Sequence, residues 1–448
     1  MKKSNVLNMT EGNPTRLLAI FSLPMLIGNI FQQAYSLVDS IVVGKFIGAG
    51  ALASIGATGS VTFLFFSICN GIGSGAGIVT SQFFGAGDPD KVRRAIANSA
   101  YIMFISALVM GIAAYFAAPG LLKLTGTPDD IVADAQVYMR ISCIGVPLVA
   151  VYNYSSSMLR ALGDSRTPLY FLIFSCFLNI IVDVLFVYIF HMGVAGAGLA
   201  TIIAQLIAGV GCLLYAIKRN PYFMLSRDDW KIDREVIRKS VRMGLPLAMQ
   251  WSMIAVSSTA LQTFVNSFGT TAVAAFTAVN RFEQLLYQPY GSLSAGMSTY
   301  AGQNYGAKRM DRVKLGFRHG TVMAMSYTIL MVLAGQLLGR QIISIFVNDP
   351  EVIAMGGQAL RITSWFYFFL AIIYMSRGIL NGIGDALFAF INGVVEMICR
   401  ICLPLLVVLI PGTGVWGIWW TAGTTWFISA AFCFLRYVVW KKKVKDLQ

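Results

Sequence analysis

The chain is short of charge. Of its 448 residues only 12% are Asp, Glu, Lys or Arg, about half the share usual in soluble domains. A soluble globular class is therefore excluded. Histidine is scarcer still. His191 and His319 are the two in the sequence, both near expected helix ends and without metal-ligand spacing to each other or to a cysteine. The seven cysteines (Cys69, Cys143, Cys176, Cys212, Cys399, Cys402 and Cys433) all lie in apolar stretches. They form no secreted disulfide framework, and Cys399-x-x-Cys402 has no second pair to complete a zinc site. They read as small apolar side chains. The N-terminus, Met1 to Asn5, lacks the compact signal-peptide pattern. Gly71-x-Gly73-x-Gly75-x-Gly77 has neither the Lys-Ser/Thr partner nor the preceding strand of a phosphate loop, and is expected to be a close helix contact instead. Asp129-Asp130 and Asp228-Asp229 both miss the third acid of a diphosphate-Mg²⁺ cluster. The chain is accordingly read as neither an enzyme nor an ATP-driven pump, with no cofactor.

What it has in plenty is apolar sequence. Hydrophobic residues make up 57%, and mean hydropathy is +0.69. They fall in twelve runs long enough to cross a bilayer: about 18–43, 51–83, 95–118, 131–161, 168–190, 195–217, 242–267, 271–303, 318–340, 352–380, 387–410 and 415–439. An all-α membrane protein follows. Pro24, Pro147, Pro246, Pro289 and Pro404 fall inside runs, where each removes a helical hydrogen bond and permits a bend.

The net charge of +14 could suggest nucleic acid, but its placement argues otherwise. Lys2, Lys3, Arg16, Lys91, Arg93, Arg94, Arg160 and Arg166 fall at alternate ends of the runs. So do the basic residues from Lys218 to Arg242, those from Lys308 to Arg318, and the C-terminal set with Lys441, Lys442, Lys443 and Lys445. The opposite side keeps little more than Lys45, Lys123 and Arg340. Positive charge marks the cytoplasmic side. Both termini are therefore expected in the cytoplasm, and the chain in the plasma (inner) membrane as a multi-pass protein. Its partners are then the lipid bilayer and a small-molecule substrate. No nucleic acid and no obligate protein partner is implied.

The halves repeat. At an offset of 221 residues, Gln82-Phe-Phe-Gly85-Ala86 meets Gln303-Asn-Tyr-Gly306-Ala307, Gly163-Asp164 meets Gly384-Asp385, and Gly193-Val194-Ala-Gly196 meets Gly414-Val415-Trp-Gly417. Leu23-Pro24 meets Leu245-Pro246 one residue out of step. Six runs per half give both halves the same orientation. The expected organisation is a six-helix bundle over 1–217, a cytoplasmic linker over 218–241 and a second six-helix bundle over 242–448.

Asp183 stands deep in an apolar run, with Asn179 one turn before it on the same face. An Asp at the bilayer centre costs roughly 2.5–3.5 kcal/mol, so it marks a functional site by default. Asp39, in the first run, is a second such acid, and Tyr35 lies one turn before it. Two carboxylates brought together cannot both ionise cheaply unless a proton or metal ion lies between them. In the second half, Glu396 and Arg400 are four apart in the order favourable to an ion pair, and are read as a structural pair, with a substrate contact as the alternative. Arg400 aligns with Asn179 under the repeat, and Pro404 with Asp183. Glu283 is a candidate cavity residue for cationic substrates.

Together these motifs resemble the multidrug and toxic compound extrusion (MATE) family. The carriers are Leu23-Pro24, Val38-Asp39-Ser40-Ile41-Val42-Val43-Gly44, the two Gln-x-x-Gly-Ala motifs, Arg160-Ala-Leu-Gly163-Asp164-Ser-Arg166-Thr-Pro168, and Gly193-Val194-Ala195-Gly196-Ala197-Gly198. The resemblance implies two six-helix bundles facing each other in a V. It also implies antiport of amphipathic, often cationic compounds against H⁺ or Na⁺. It further implies the branch whose cation site lies in the N-terminal bundle, at Asp39, Asn179, Asp183 and Thr201. The branch with acids in spans seven and ten is not matched, because neither span carries one here. Pro24 is then a bend point. A flippase for lipid-linked saccharides, from the same larger group, is the alternative reading; Arg361, Arg377 and Arg400 would be its deep basic residues.

Overall fold

The computed structural model describes residues 5–124, 127–407 and 410–446. Lys2 and Lys3, counted in the charge bias, lie outside them, and so does the side chain of Lys445. Among the described residues there are thirteen α-helices and no strand. The first seven are α1 Pro14–Phe46, α2 Ala49–Gly85, α3 Pro89–Leu124, α4 Val132–Ala161, α5 Arg166–Asp183, α6 Gly193–Arg219 and α7 Arg234–Asn266. The rest are α8 Thr270–Gly306, α9 Met310–Ser344, α10 Pro350–Ser364, α11 Tyr367–Gly382, α12 Ala386–Val407 and α13 Gly417–Asp446. Eight are long and apolar enough to cross a membrane, and α10 with α11, bent by 52° at a short break, make a ninth. Each of the twelve expected runs falls on one helix or on that bent pair, except that the fifth continues from α5 into the segment Val184–Ile189. The expected end of the eleventh, at 408–409, lies outside the described residues.

The chain forms two compact units, Met1–Asn8 with Leu23–Ala248, and Met9–Ser22 with Met249–Gln448. Their bounds differ from a simple division at the linker, because each unit takes the beginning of the other half's first helix. In the first unit a Cβ on Gly75 of α2 would stand 2.3 Å from the Gly244 nitrogen of α7, and one on Gly71 would stand 2.4 Å from Ala248 Cα. The Gly71–Gly77 stripe is thus a close helix contact, as expected of small residues where apolar burial gives neighbouring helices no advantage over lipid. In the second unit, Gly296 of α8 meets Ser22 of α1 at 2.4 Å in the same sense. Gly75 and Gly296 are 221 apart, and Gly244 and Ser22 follow the one-residue slip seen at the prolines.

The stretch 218–241 is packed rather than loose. Phe223 is buried among Val92, Ile96, Tyr154 and Leu162. Asn98 of α3 donates to Lys231 O at 3.1 Å and accepts from Asp233 N at 2.9 Å. Asp229 accepts from the Ser226 amide and hydroxyl, both at 2.7 Å.

The repeat is written in the backbone. Residues with φ in the left-handed region pair at the offset of 221: Gly48 with Gly269, Gly87 with Lys308, Gly163 with Gly384, His191 with Gly412, and Gly193 with Gly414. Hydrogen bonds agree. Asp164 N donates to Leu159 O at 2.9 Å and Asp385 N to Leu380 O at 2.8 Å. Ala86 N donates to Gln82 O at 2.9 Å and Ala307 N to Gln303 O at 3.0 Å. Packing order is also shared. α4 lies against α2, α3 and α6, and α11 against α8, α9 and α13, while α5 pairs with α6 as α12 does with α13.

Candidate functional site

In the first unit, three helices bring the expected residues together. α5 carries Asn179 and Asp183 one turn apart, both buried. α1 carries Tyr35 and Asp39, also one turn apart and half-buried. α6 carries Thr201. Its hydroxyl donates to Ala197 O at 3.3 Å, accepts from Asn179 Nδ2 at 3.3 Å, and lies 3.2 Å from the Tyr35 hydroxyl. With the Thr201 proton directed at Ala197, Tyr35 is the donor of that contact. These bonds are at the long end of the range, so exchanging them for other partners costs little. The Asp39 and Asp183 carboxyls are near enough to act on each other electrostatically. Asp39 Oδ1 is buried without a hydrogen-bond partner. An opening beside this network is lined by Gln32, Tyr35, Ser175, Asn179, Thr201 and Gln205.

The chain after Asp183 is not regular helix. Val184–Ile189 forms a π-helical segment, in which Phe190 N reaches back to Leu185 O at 3.0 Å. Such widened turns inside helices occur often at functional sites. The segment leads to the tight start of α6, where Gly196 lies against Phe186; a Cβ there would come within 3.1 Å of Phe186 Cβ. Pro24 lies within α1, and Gly28, one turn on, is pressed against Leu172 of α5.

The second unit holds a different polar centre. Sequence spacing favours a Glu396–Arg400 ion pair, but the structure pairs otherwise. Arg377 of α11 donates to Glu396 Oε1 at 2.5 Å, and Ser429 of α13 donates to the same oxygen at 2.9 Å. Arg400 donates to Ser257 and Ser258 of α7 at 3.3 and 3.1 Å. Position i+4 on one helix offered proximity, but Arg377 reaches Glu396 from the neighbouring helix with a direct line to the carboxylate. Asn392 and Ser429 bond each other at 3.0 Å and extend this network. Glu283 is buried and accepts from Tyr287 at 3.0 Å and Tyr367 at 3.1 Å. Tyr367 is the first residue of α11, so the bend between α10 and α11 aims its hydroxyl at Glu283.

A family model described as MatE matches twice, at residues 24–185 and 246–406. The chain belongs to the MatE family. The two matches coincide with the two halves, and their starts and ends differ by the repeat offset and its one-residue slip. Among curated MatE relatives, the Bacillus subtilis (strain 168) protein described as "Probable multidrug resistance protein YpnP" is 29% identical over 441 residues, covering 97% of each chain. Among solved structures, one described as "MATE in the bent conformation" is 22% identical, with a TM-score of 0.93 over 100% of this chain and 99% of that one. Another, in "the straight conformation", gives 0.92 over 100% of both, also at 22% identity. Both likenesses are of fold.

Several residues of this MatE site escaped sequence reading. Tyr138 of α4 lies in the field of both Asp39 and Asp183, and nothing in its local pattern singles it out. Gln32 and Gln205 line the opening. Gln32 lies seven residues before Asp39, on the same helix face, and that spacing could have found it. Tyr287 was legible in the same way, four residues after Glu283. Tyr367 was not.

Proposed function

We propose that this protein is a secondary active antiporter of the plasma membrane that exports small amphipathic, cationic compounds in exchange for H⁺ or Na⁺ by alternating access. The observation that carries the reading is the Asp39–Asp183 pair, two acids in each other's field inside a membrane bundle, beside an opening lined in part by amide and hydroxyl side chains. Two carboxylates about 4 Å apart at an effective dielectric near 20 repel by roughly 4 kcal/mol. A shared proton or a bound Na⁺ removes that repulsion and lets α1 and α5 pack. Loss of the cation restores the repulsion and draws in water. Asp39, Asn179, Asp183 and Thr201 are the coupling residues in this reading, with Tyr35 holding Thr201. The long bonds to Thr201 can be exchanged for bonds to an ion, and the orphaned Asp39 oxygen offers a ligand.

Pro24 is the proposed bend of α1. It supplies a missing hydrogen bond at which the helix can switch between a straight and a bent form. The multidrug description of YpnP supports amphipathic cargo. The basic residues at alternate helix ends support cytoplasmic termini. No cofactor beyond the coupling ion and no catalytic step is required.

The test is efflux from proteoliposomes under a pH gradient alone and then a Na⁺ gradient alone, for wild type and Asp183→Asn. One gradient should drive wild-type efflux, and the variant should lose that coupling. Wild-type behaviour of Asp183→Asn under both gradients would show Asp183 to be structural and sink the proposed coupling site.

A further inference from the structure

The repeat that relates the two units also relates their polar centres, but a basic residue stands in the second where the first has a neutral one. Asn179 of α5 lines the opening of the first unit beside Tyr35 of α1. At the offset of 221, Asn179 becomes Arg400 of α12 and Ser36 of α1 becomes Ser257 of α7. In the second unit these counterparts meet, since Arg400 Nη1 donates to Ser257 and Ser258. The place of the neutral Asn179 in one unit is taken by a guanidinium in the other, while the counterparts of the two acids are Ala260 and Pro404.

Arg400 differs from the other bonded arginines of its unit. Arg377 has Glu396 and Arg436 has Asp385. Arg312 has the carbonyls of Met9 and Gly12 and the Asn304 amide oxygen. Among the described residues the hydrogen bonds of Arg400 go to two neutral hydroxyls, and Glu396 and Glu283 act on it only through space. The two acids near it are spoken for: Glu396 by Arg377 and Ser429, and Glu283 by a tyrosine hydroxyl on each carboxyl oxygen. A guanidinium has five N–H donors, and those bonds use only Nη1. Arg400 is half-buried and Ser258 is exposed, so the head group is not sealed. An arginine within a membrane span is expensive and marks a substrate or ion path by default. Its planar fork matches an oxyanion.

We infer that Arg400, positioned by Ser257 and Ser258, binds the acidic group of a transported amphiphile. The inference rests on the reading of the chain as an exporter of amphiphiles and extends its cargo to those that carry an acidic group. Molecules bearing a carboxylate, sulfonate or phosphate beside their apolar body are accepted, zwitterions among them. The first unit takes the coupling cation, and the second takes the anionic end of the cargo.

The experiment is binding, with no gradient applied. The full chain, purified in a maltoside detergent, is titrated into a rhodamine with a free carboxylate and, separately, into its methyl ester, and fluorescence polarisation is followed. Wild type should bind the carboxylate form more tightly. Arg400→Gln should weaken that binding by about tenfold and leave the ester within about twofold. Arg400→Lys should recover part of the loss, keeping the charge without the fork. If the Gln variant aggregates on size exclusion, Arg400→Lys and the double variant Ser257→Ala with Ser258→Ala carry the test, and each should narrow the carboxylate preference. Equal wild-type affinity for the two dyes, no binding of either, or an undiminished preference in the variants overturns the inference. So does a preference abolished by added phosphatidylglycerol, which would make the site a lipid headgroup's. Ion coupling at Asp183 plays no part in the readout, so either proposal can fail while the other stands.

Discussion

The partner of Glu396 can be decided by a double-mutant cycle. Arg377 donates to Glu396 Oε1 at 2.5 Å, the Glu396 side chain is 5% exposed and that of Arg377 is 13% exposed. Removing one member of a buried pair leaves the other charge uncompensated and costs about 3–5 kcal/mol. Arg377→Met and Glu396→Gln should each fall in that range in equilibrium unfolding in mixed micelles, followed by tryptophan fluorescence. The double variant should cost far less than their sum, because neither leaves a bare charge, giving a coupling of about 3 kcal/mol. The parallel cycle with Arg400→Met and Glu396→Gln should give a smaller coupling, since Arg400 acts on Glu396 only through space and keeps its bonds to Ser257 and Ser258. A 396–400 coupling equal to or above the 377–396 coupling would refute the pairing and restore the one that spacing alone suggests.

Two further outcomes follow from the backbone. Gly75→Ala forces a Cβ to within 2.3 Å of the Gly244 nitrogen, and overpacking at such a contact costs about 1–3 kcal/mol. Gly59→Ala, on the same helix with nothing within 4 Å, should be neutral or stabilising by up to about 1 kcal/mol. Thermal unfolding in detergent should separate the two. Lys308 stands at φ 58° where the first half has Gly87 at φ 71°, and a non-glycine residue there costs roughly 1–2 kcal/mol. Lys308→Gly should therefore raise the thermal midpoint and Gly87→Ala lower it; the opposite signs would show that the turns are not equivalent.

The helices were legible because each spanning helix must supply some twenty apolar residues in a row, which no short-range packing detail can hide. The repeat was legible because its landmarks do backbone work. Gly163 has φ 84° and lies so close to Leu7 O that a Cβ would stand 2.3 Å away, so the residue type records the geometry. Asn179 with Asp183, and Tyr35 with Asp39, were legible as one-turn spacings. Thr201 came only through family resemblance, since nothing within α6 says which neighbour it faces. The Arg377–Glu396 pair and the Tyr367–Glu283 bond were not legible. Both depend on how far one helix slides along another, a quantity absent from any single helix's periodicity. The placement of Met9–Ser22 with the second unit was hidden for the same reason. Arg312 and Gln303 hold Met9 by bonds spanning about three hundred residues of chain.

The π-helical segment after Asp183 shows what the repeat preserves and what it leaves free. At the position of Asp183 the second half has Pro404, which lies inside α12. Proline has no N–H to give to the helix ladder and crowds the preceding turn. At this level the first half has a widened turn, and the second half lacks one donor of the helix ladder within α12. The two devices leave different side chains at that level. A widened turn leaves position 183 open to any residue, so it can carry an acid. A proline forecloses that choice and moves the polar group one turn back, to Arg400. If the irregularity is what the scaffold requires and the charge is what each half is free to choose, then Pro404→Asp should not transplant the acidic pair. Position 260, the counterpart of Asp39, is alanine, and a lone acid would face Arg400 rather than a second carboxylate. The acidic pair belongs to the first unit through its partner residue on α1, not through the local form of the helix that carries the second acid.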